Sequence, residues 1–177
     1  MHRRGSYAKG VAKREEILAT ALEVISREGL RRTSIRELAD AAGLSQAGLL
    51  HYFDSKEELY TAILRKRDQV NAARLATLRS ARAPEDGAGD SSREEAGAVI
   101  AAFLELLREG ALVPGLAELS ARLSVDAAAA EHPAHQFFLD RRQRLRELFV
   151  PAISAMQAEG QIVDSVPAEQ LAAILHA

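Results

Sequence analysis

Residues 34–53, SIRELADAAGLSQAGLLHYF, constrain this chain more than any other stretch. Ser34 precedes Ile35, and Glu37 follows three residues on. At that spacing serine and glutamate each satisfy an orphan amide of the same turn, so a helix starts here. Leu38, Ala39 and Ala42 then share one face. Gly43 stands where a chain leaving a helix commonly takes positive φ. Ser45 is a good N-cap for a second helix, and Leu49, Tyr52 and Phe53 give that helix an inner face. Isolated helices shorter than about 12 residues are marginal in water, so this pair must lie on something larger. Ala39 is small, as close packing of the two helices requires.

The flanks supply the support. Residues 9–28 carry Ile17, Leu18, Ala21, Leu22, Val24 and Ile25 at helical spacing, and Gly29 ends that helix. Ser55 and Glu58 repeat the Ser-x-x-Glu start, and Leu59, Ile63 and Leu64 carry the next helix onward. The pattern predicts a three-helix unit braced by a fourth helix. Its central pair is laid out as a helix-turn-helix, which presents one helix to the DNA major groove.

This order resembles the N-terminal domain of the tetracycline-repressor (TetR) family. The resemblance rests on REEIL at 14–18, TSIRELADAAGLS at 33–45, HYF at 51–53 and SKEEL at 55–59, and covers about residues 11–71. It implies an all-α protein in which an N-terminal three-helix DNA-binding domain joins a larger helical ligand-binding and dimerisation domain. It implies a homodimer joined through the last two long helices, usually a repressor released by a small ligand. It also assigns Thr33, His51, Tyr52 and Lys56 to phosphate contacts. Members often carry Gly-Thr-Leu-Tyr in the second hairpin helix, whereas this chain has Ala47-Gly48-Leu49-Leu50. Gly48 thus stands at a position where a phosphate-contacting threonine is common, and Leu50 replaces a frequent aromatic. Gly48 either lets the backbone approach the duplex closely or is drift at a solvent-facing position.

The residues themselves nominate further contacts. Gln46 can pair bidentately with adenine and Ala47 can touch a thymine methyl. The helix starts at Ser34 and Ser45 offer amides to phosphate oxygens. One short recognition helix is too small to specify a site. A two-fold dimer reading two half-sites solves this and implies a pseudo-palindromic operator.

Charge is distributed accordingly. The net charge of −2 conceals +3 over residues 1–66, from 12 basic and 9 acidic residues, and −5 over residues 67–177, from 11 and 16. Arg3, Arg4, Lys9, Lys13 and Arg14 occur among residues 1–14 without an acid. A basic arm over residues 1–10 reads as a phosphate or minor-groove contact, with a solubilising terminus as the plainer alternative. The absence of cysteine excludes disulfides, thiolate metal sites and a cysteine nucleophile. There is no run of about 18 apolar residues and no signal-peptide core, so a soluble cytoplasmic protein without a membrane partner is expected.

Beyond the motif, residues 72–177 read as the larger helical domain. A helix runs from Lys56 to about Arg82, and ARAPEDGAGDSS at 81–92 is a loop. Residues 93–109 form a core helix. A short helix carries Leu116, Leu119 and Leu123, and a break falls at EHP, 131–133. A long helix spans 134–158 up to Gly160, and a last one begins near Pro167. The chain stops inside this last apolar segment, from which an incomplete C-terminus is expected.

Residues 93–160 are expected to enclose an apolar cavity for an unidentified effector. Phe103, Leu107, Leu119, Phe137, Phe138 and Met156 are candidate walls, and Glu118, Arg122, His135 and Arg141 candidate polar groups. Surface or salt-bridge roles compete for each of those four. Glu131, His132 and His135 are the only suggestion of a metal cluster, and Pro133 interrupts it. Phosphate-loop, nucleophile-elbow and His-Glu-x-x-His patterns are absent. No catalysis, cofactor or metal is expected. The rival to a DNA-binding regulator is a helical protein-interaction module without DNA binding.

Overall fold

The computed structural model describes residues 3–81, 91–111 and 113–175. Within them every regular element is helical: α1 (Arg3–Glu28), α2 (Ile35–Ala41), α3 (Gln46–Leu50), α4 (Lys56–Ser80), α5 (Ser91–Ala111), α6 (Pro114–Asp126), α7 (His135–Ala158) and α8 (Ala168–Leu175), with a 3-10 turn at Leu30–Arg32. The fold is all-α, as the sequence predicts. Most of the predicted 81–92 loop, residues 82–90, lies outside the described residues, as do Met1, His2 and the last two residues.

Local chemistry explains where the helices stop. Gly29 (φ 82°), Gly43 (φ 67°) and Gly160 (φ 68°) occupy the left-handed region after α1, α2 and α7, a conformation that costs glycine nothing. Pro114 takes the first position of α6, where its missing N–H is no loss. The basic residues at the start of the chain form the first turns of α1 from Arg3 onward, rather than a separate arm.

The chain forms two compact units. One comprises residues up to Gln69 together with Gly110–Phe137; the other comprises Val70–Glu109 and Phe138–Ala177. The helix α6 belongs to the first unit, not to the segment that follows residue 71 in sequence. Its apolar stripe explains this: Leu116, Leu119 and Leu123 are all buried, and α6 packs on α1 and on the 3-10 turn. Gly115, one residue into α6, makes that approach possible. A Cβ there would lie 2.7 Å from the Ile25 carbonyl oxygen, 2.8 Å from Gly29 Cα and 2.8 Å from the Leu30 nitrogen. Ile17, Ile25, Leu38, Leu49, Leu59 and Ile63 are buried completely or nearly so in this unit.

The second unit has its own core. Ala96, Val99 and Phe103 of α5 meet Phe149, Ala152 and Ile153 of α7 and Ala168 and Ala172 of α8. The Phe103 and Phe149 rings stand edge-to-face with centroids 4.6 Å apart, a favoured aromatic geometry. No helix among the described residues is long and apolar enough to cross a membrane.

Candidate nucleic-acid interface

The interface is built from its caps. The Ser34 hydroxyl accepts the Glu37 N–H at 3.2 Å while Ser34 N–H donates to Glu37 Oε2 at 2.6 Å, closing the predicted capping box. That amide, more than the hydroxyl, holds the Glu37 carboxyl below the usual glutamate range. The Ser45 hydroxyl accepts the Gly48 N–H at 3.0 Å and starts α3. Leu49 is buried and anchors that helix; at about 100° per residue Ala47 and His51 then point away from the protein. Gln46, Ala47 and His51 are exposed, and Gly48, Leu50 and Tyr52 are half-buried.

The helix is shorter than an inner face of Leu49, Tyr52 and Phe53 predicts. It ends at Leu50, with His51 as its C-cap. Tyr52 N–H donates to the Leu49 carbonyl and Phe53 N–H to that of Leu50, tighter three-residue closures that swing buried Phe53 inward. His51 and Tyr52 therefore sit at the exit of α3, with their rings edge-on at 6.0 Å. Gly48 gains a local explanation that the sequence did not offer. A Cβ there would lie 3.2 Å from the Ser45 hydroxyl oxygen and crowd the cap.

The remaining predicted contacts divide. Lys56 opens α4, exposed, its Nζ 5.4 Å from the Tyr60 ring centroid. Thr33 is buried, and its hydroxyl donates to the Gly29 carbonyl at 2.7 Å. The expected phosphate contact of the Thr33 side chain gives way to closing the turn after α1. Two basic residues of the N-terminal run also turn toward the protein. Lys13 Nζ lies 3.3 Å from the Ala42 carbonyl, and the Arg14 guanidinium meets Glu58 at 2.9 Å.

Thr33, Ser34, Lys56 and Tyr60 line a cleft of about 380 Å³ whose far wall is Leu119, Arg122 and Asp126 of α6. Burial pushes the Tyr60 hydroxyl pKa up, against the opposing influence of the Arg122 charge. Of the ten candidate ligand residues only Leu119 and Arg122 line this cleft.

The other candidates are dispersed. Glu118, Leu119, Arg122, His135 and Phe137 belong to the first unit, and Phe103, Leu107, Phe138, Arg141 and Met156 to the second. Leu107, expected as a cavity wall, is 50% exposed. Glu118 is paired with Arg31 at 3.1 Å. The histidines of the 131–135 segment serve the turn. Nδ1 of His132 accepts the Ala134 N–H at 3.1 Å, and Nδ1 of His135 meets the Ala127 carbonyl at 2.8 Å. No group of three potential metal-ligating side chains occurs among the described residues.

With this geometry in view, known proteins offer a comparison. Residues 17–63 match the family model described as bacterial regulatory proteins, tetR family. The chain is 41% identical over 73 residues to the HTH-type transcriptional regulator RutR of Escherichia coli K12, which is 41% of this chain and 34% of that protein. It is 45% identical over 53 residues to the HTH-type transcriptional repressor KstR2 of Rhodococcus jostii RHA1, 30% of this chain and 26% of that one. The matched segment thus covers about a third or less of these relatives' length. The solved structure of the ketosteroid transcriptional regulator KstR2 of Mycobacterium tuberculosis shares the fold at a TM-score of 0.58. Its identity is 22%, with 92% of this chain and 76% of that chain covered. The structure of SmeT, the repressor of the Stenotrophomonas maltophilia efflux pump SmeDEF, does so at 0.53, with 20% identity over 92% and 72% of the two chains.

Proposed function

We propose that this chain, whose residues 17–63 match the tetR family of bacterial regulatory proteins, is a DNA-binding transcriptional repressor of that family. It reads a pseudo-palindromic operator as a homodimer and is released by a small, mostly hydrophobic ligand. One observation carries the DNA reading above all. Gln46, Ala47 and His51 project from a helix that is capped by Ser45 and fastened by buried Leu49 and Phe53. Gln46 and Ala47 face base edges, His51, Tyr52 and Lys56 face phosphates, and the amides at Ser34 and Ser45 add neutral donors.

One five-residue helix contacts too few base pairs for a unique address, so two copies related by a two-fold axis supply the rest. Repression and release require a ligand with different affinities for the two spacings of the recognition helices.

Selection of bound fragments from the source genome tests the proposal. Enrichment of a short inverted repeat, with affinity that falls steeply as salt rises, is the expected result. Absence of any enriched motif refutes it.

A further inference from the structure

We infer that Arg14 is a positioning residue for the recognition helix, acting from α1 on the segment where the chain leaves α3 and enters α4. The inference rests on the DNA-binding reading above and deepens it.

Arg14 makes two contacts at once. Its guanidinium carbon stands 4.6 Å from the Phe53 ring centroid. Its Nη2 donates to Glu58 Oε1 at 2.9 Å. The second oxygen of the same carboxylate accepts the N–H of Asp54, and the Ser55 hydroxyl accepts the Glu58 N–H at 3.0 Å. Phe53, Asp54 and Glu58 are thereby tied to one side chain on α1. Between the two three-residue closures at Tyr52 and Phe53 and the start of α4, this tie adds a side-chain hold on the exit of α3.

The next residue along serves the other end. Lys13 Nζ lies 3.3 Å from the carbonyl of Ala42, the C-cap of α2, and 2.8 Å from Glu16 Oε1. Lys13 and Arg14, adjacent on α1, hold the chain before and after the helix that exposes Gln46, Ala47 and His51. The composition of residues 1–14 suggests phosphate contacts for both; the geometry assigns their charge to holding the motif.

Arginine chemistry is required at residue 14. A planar guanidinium stacks on a ring through its face while its edge donates to a carboxylate, and a lysine ammonium does not reproduce both. Loss of Arg14 leaves Glu58 half-buried with the Asp54 amide but no cation, and frees the face of Phe53. The recognition helix then keeps its cap at Ser45 and loses its fixed exit. Such a loss penalises an operator that needs side chains in register more than it penalises duplex of any sequence.

The test uses the full chain with Arg14→Gln, Arg14→Lys, Glu58→Gln and the Arg14→Gln/Glu58→Gln pair. Each is titrated against a selected operator duplex and a scrambled duplex over a salt series, with thermal melts alongside. Arg14→Gln is expected to weaken operator binding about tenfold and scrambled-duplex binding by less than about twofold, the scale of one lost base contact. The salt slope is unchanged, Arg14→Lys does not restore affinity, and the double variant binds no worse than the weaker single one.

Equal loss on both duplexes with the slope reduced by about one makes Arg14 a phosphate contact and overturns the inference. Undiminished operator binding by Arg14→Gln overturns it as well. If Arg14→Gln does not fold, Glu58→Gln alone is read in the same way: selective loss on the operator supports the inference, and equal loss or none overturns it. A wild-type chain that fails to prefer the operator sinks the DNA-binding reading and this inference together. Discrimination by wild type that Arg14→Gln retains undiminished sinks the inference alone.

Discussion

Replacing Gly115 by alanine tests the packing of α6 on α1 with one methyl group. The added Cβ would meet the Ile25 carbonyl oxygen at 2.7 Å and both Gly29 Cα and the Leu30 nitrogen at 2.8 Å. All three are backbone atoms at the end of α1, so no flexible side chain can swing aside. Overpacking of a tight contact costs roughly 1–3 kcal/mol, and a three-point backbone clash belongs at the top of that range. Alanine's helix propensity offsets at most about 1 kcal/mol. The net destabilisation is about 2 kcal/mol, which at roughly 2–4 °C per kcal/mol for a chain of this size lowers Tm by about 4–8 °C. Gly97→Ala is the control. Gly97 also lies within a helix, α5, but its Cβ would meet nothing within 4 Å, so stability rises by up to about 1 kcal/mol. Circular dichroism melts at 222 nm on both variants decide the matter. An unchanged or raised Tm for Gly115→Ala would refute the close approach of α6 to the end of α1.

Gln46→Ala is expected to relax specificity at one base position per half-site at a cost of roughly 1–3 kcal/mol, read from binding to a panel of single-base variants; uniform loss over the panel would contradict base reading by Gln46. Ser34→Ala removes the hydroxyl half of the α2 capping box and should cost roughly 0.5–2 kcal/mol in urea unfolding. Acid loosens the same cap. The Glu37 carboxyl titrates below its ordinary value because of its hydrogen bonds with Ser34. Its contribution is therefore complete above the unfolded-state pKa and disappears as pH falls through the lower, folded-state value. Side-chain carboxyl NMR of Glu37 should give a midpoint below that of an unstructured glutamate, and a normal midpoint would contradict the box.

What the sequence discloses and what it hides follow from the range of each interaction. The Ser34–Glu37 box, the left-handed Gly43, the Ser45 cap and buried Leu49 involve residues within a few positions of one another, and all are legible. The helix limits near Gly160 and Pro167 are legible for the same reason. The Arg14–Phe53–Glu58 cluster joins residues roughly forty positions apart, so only the pairing seen in the fold reveals why Arg14 is not simply part of a basic run. Thr33 escapes a sequence reading because a hydroxyl at a helix start serves phosphate or its own turn equally well, and its inward bond to Gly29 is a matter of backbone path. The role of α6 escapes because its apolar stripe is the same whichever unit it covers. Apolar character alone nominates the walls of a ligand cavity, and burial separates them: Phe103, Leu119 and Phe137 are core, while Leu107 is exposed.

The central claim is that the outward side of α3 enters a major groove twice, once per subunit. Dimethyl sulfate protection of a genome-selected operator measures this directly, since the reagent attacks guanine N7 from the major groove. Two patches of protected guanine N7 about one helical turn apart are the predicted result. Guanine N7 atoms that stay fully reactive in a complex that retains its affinity would contradict the claim.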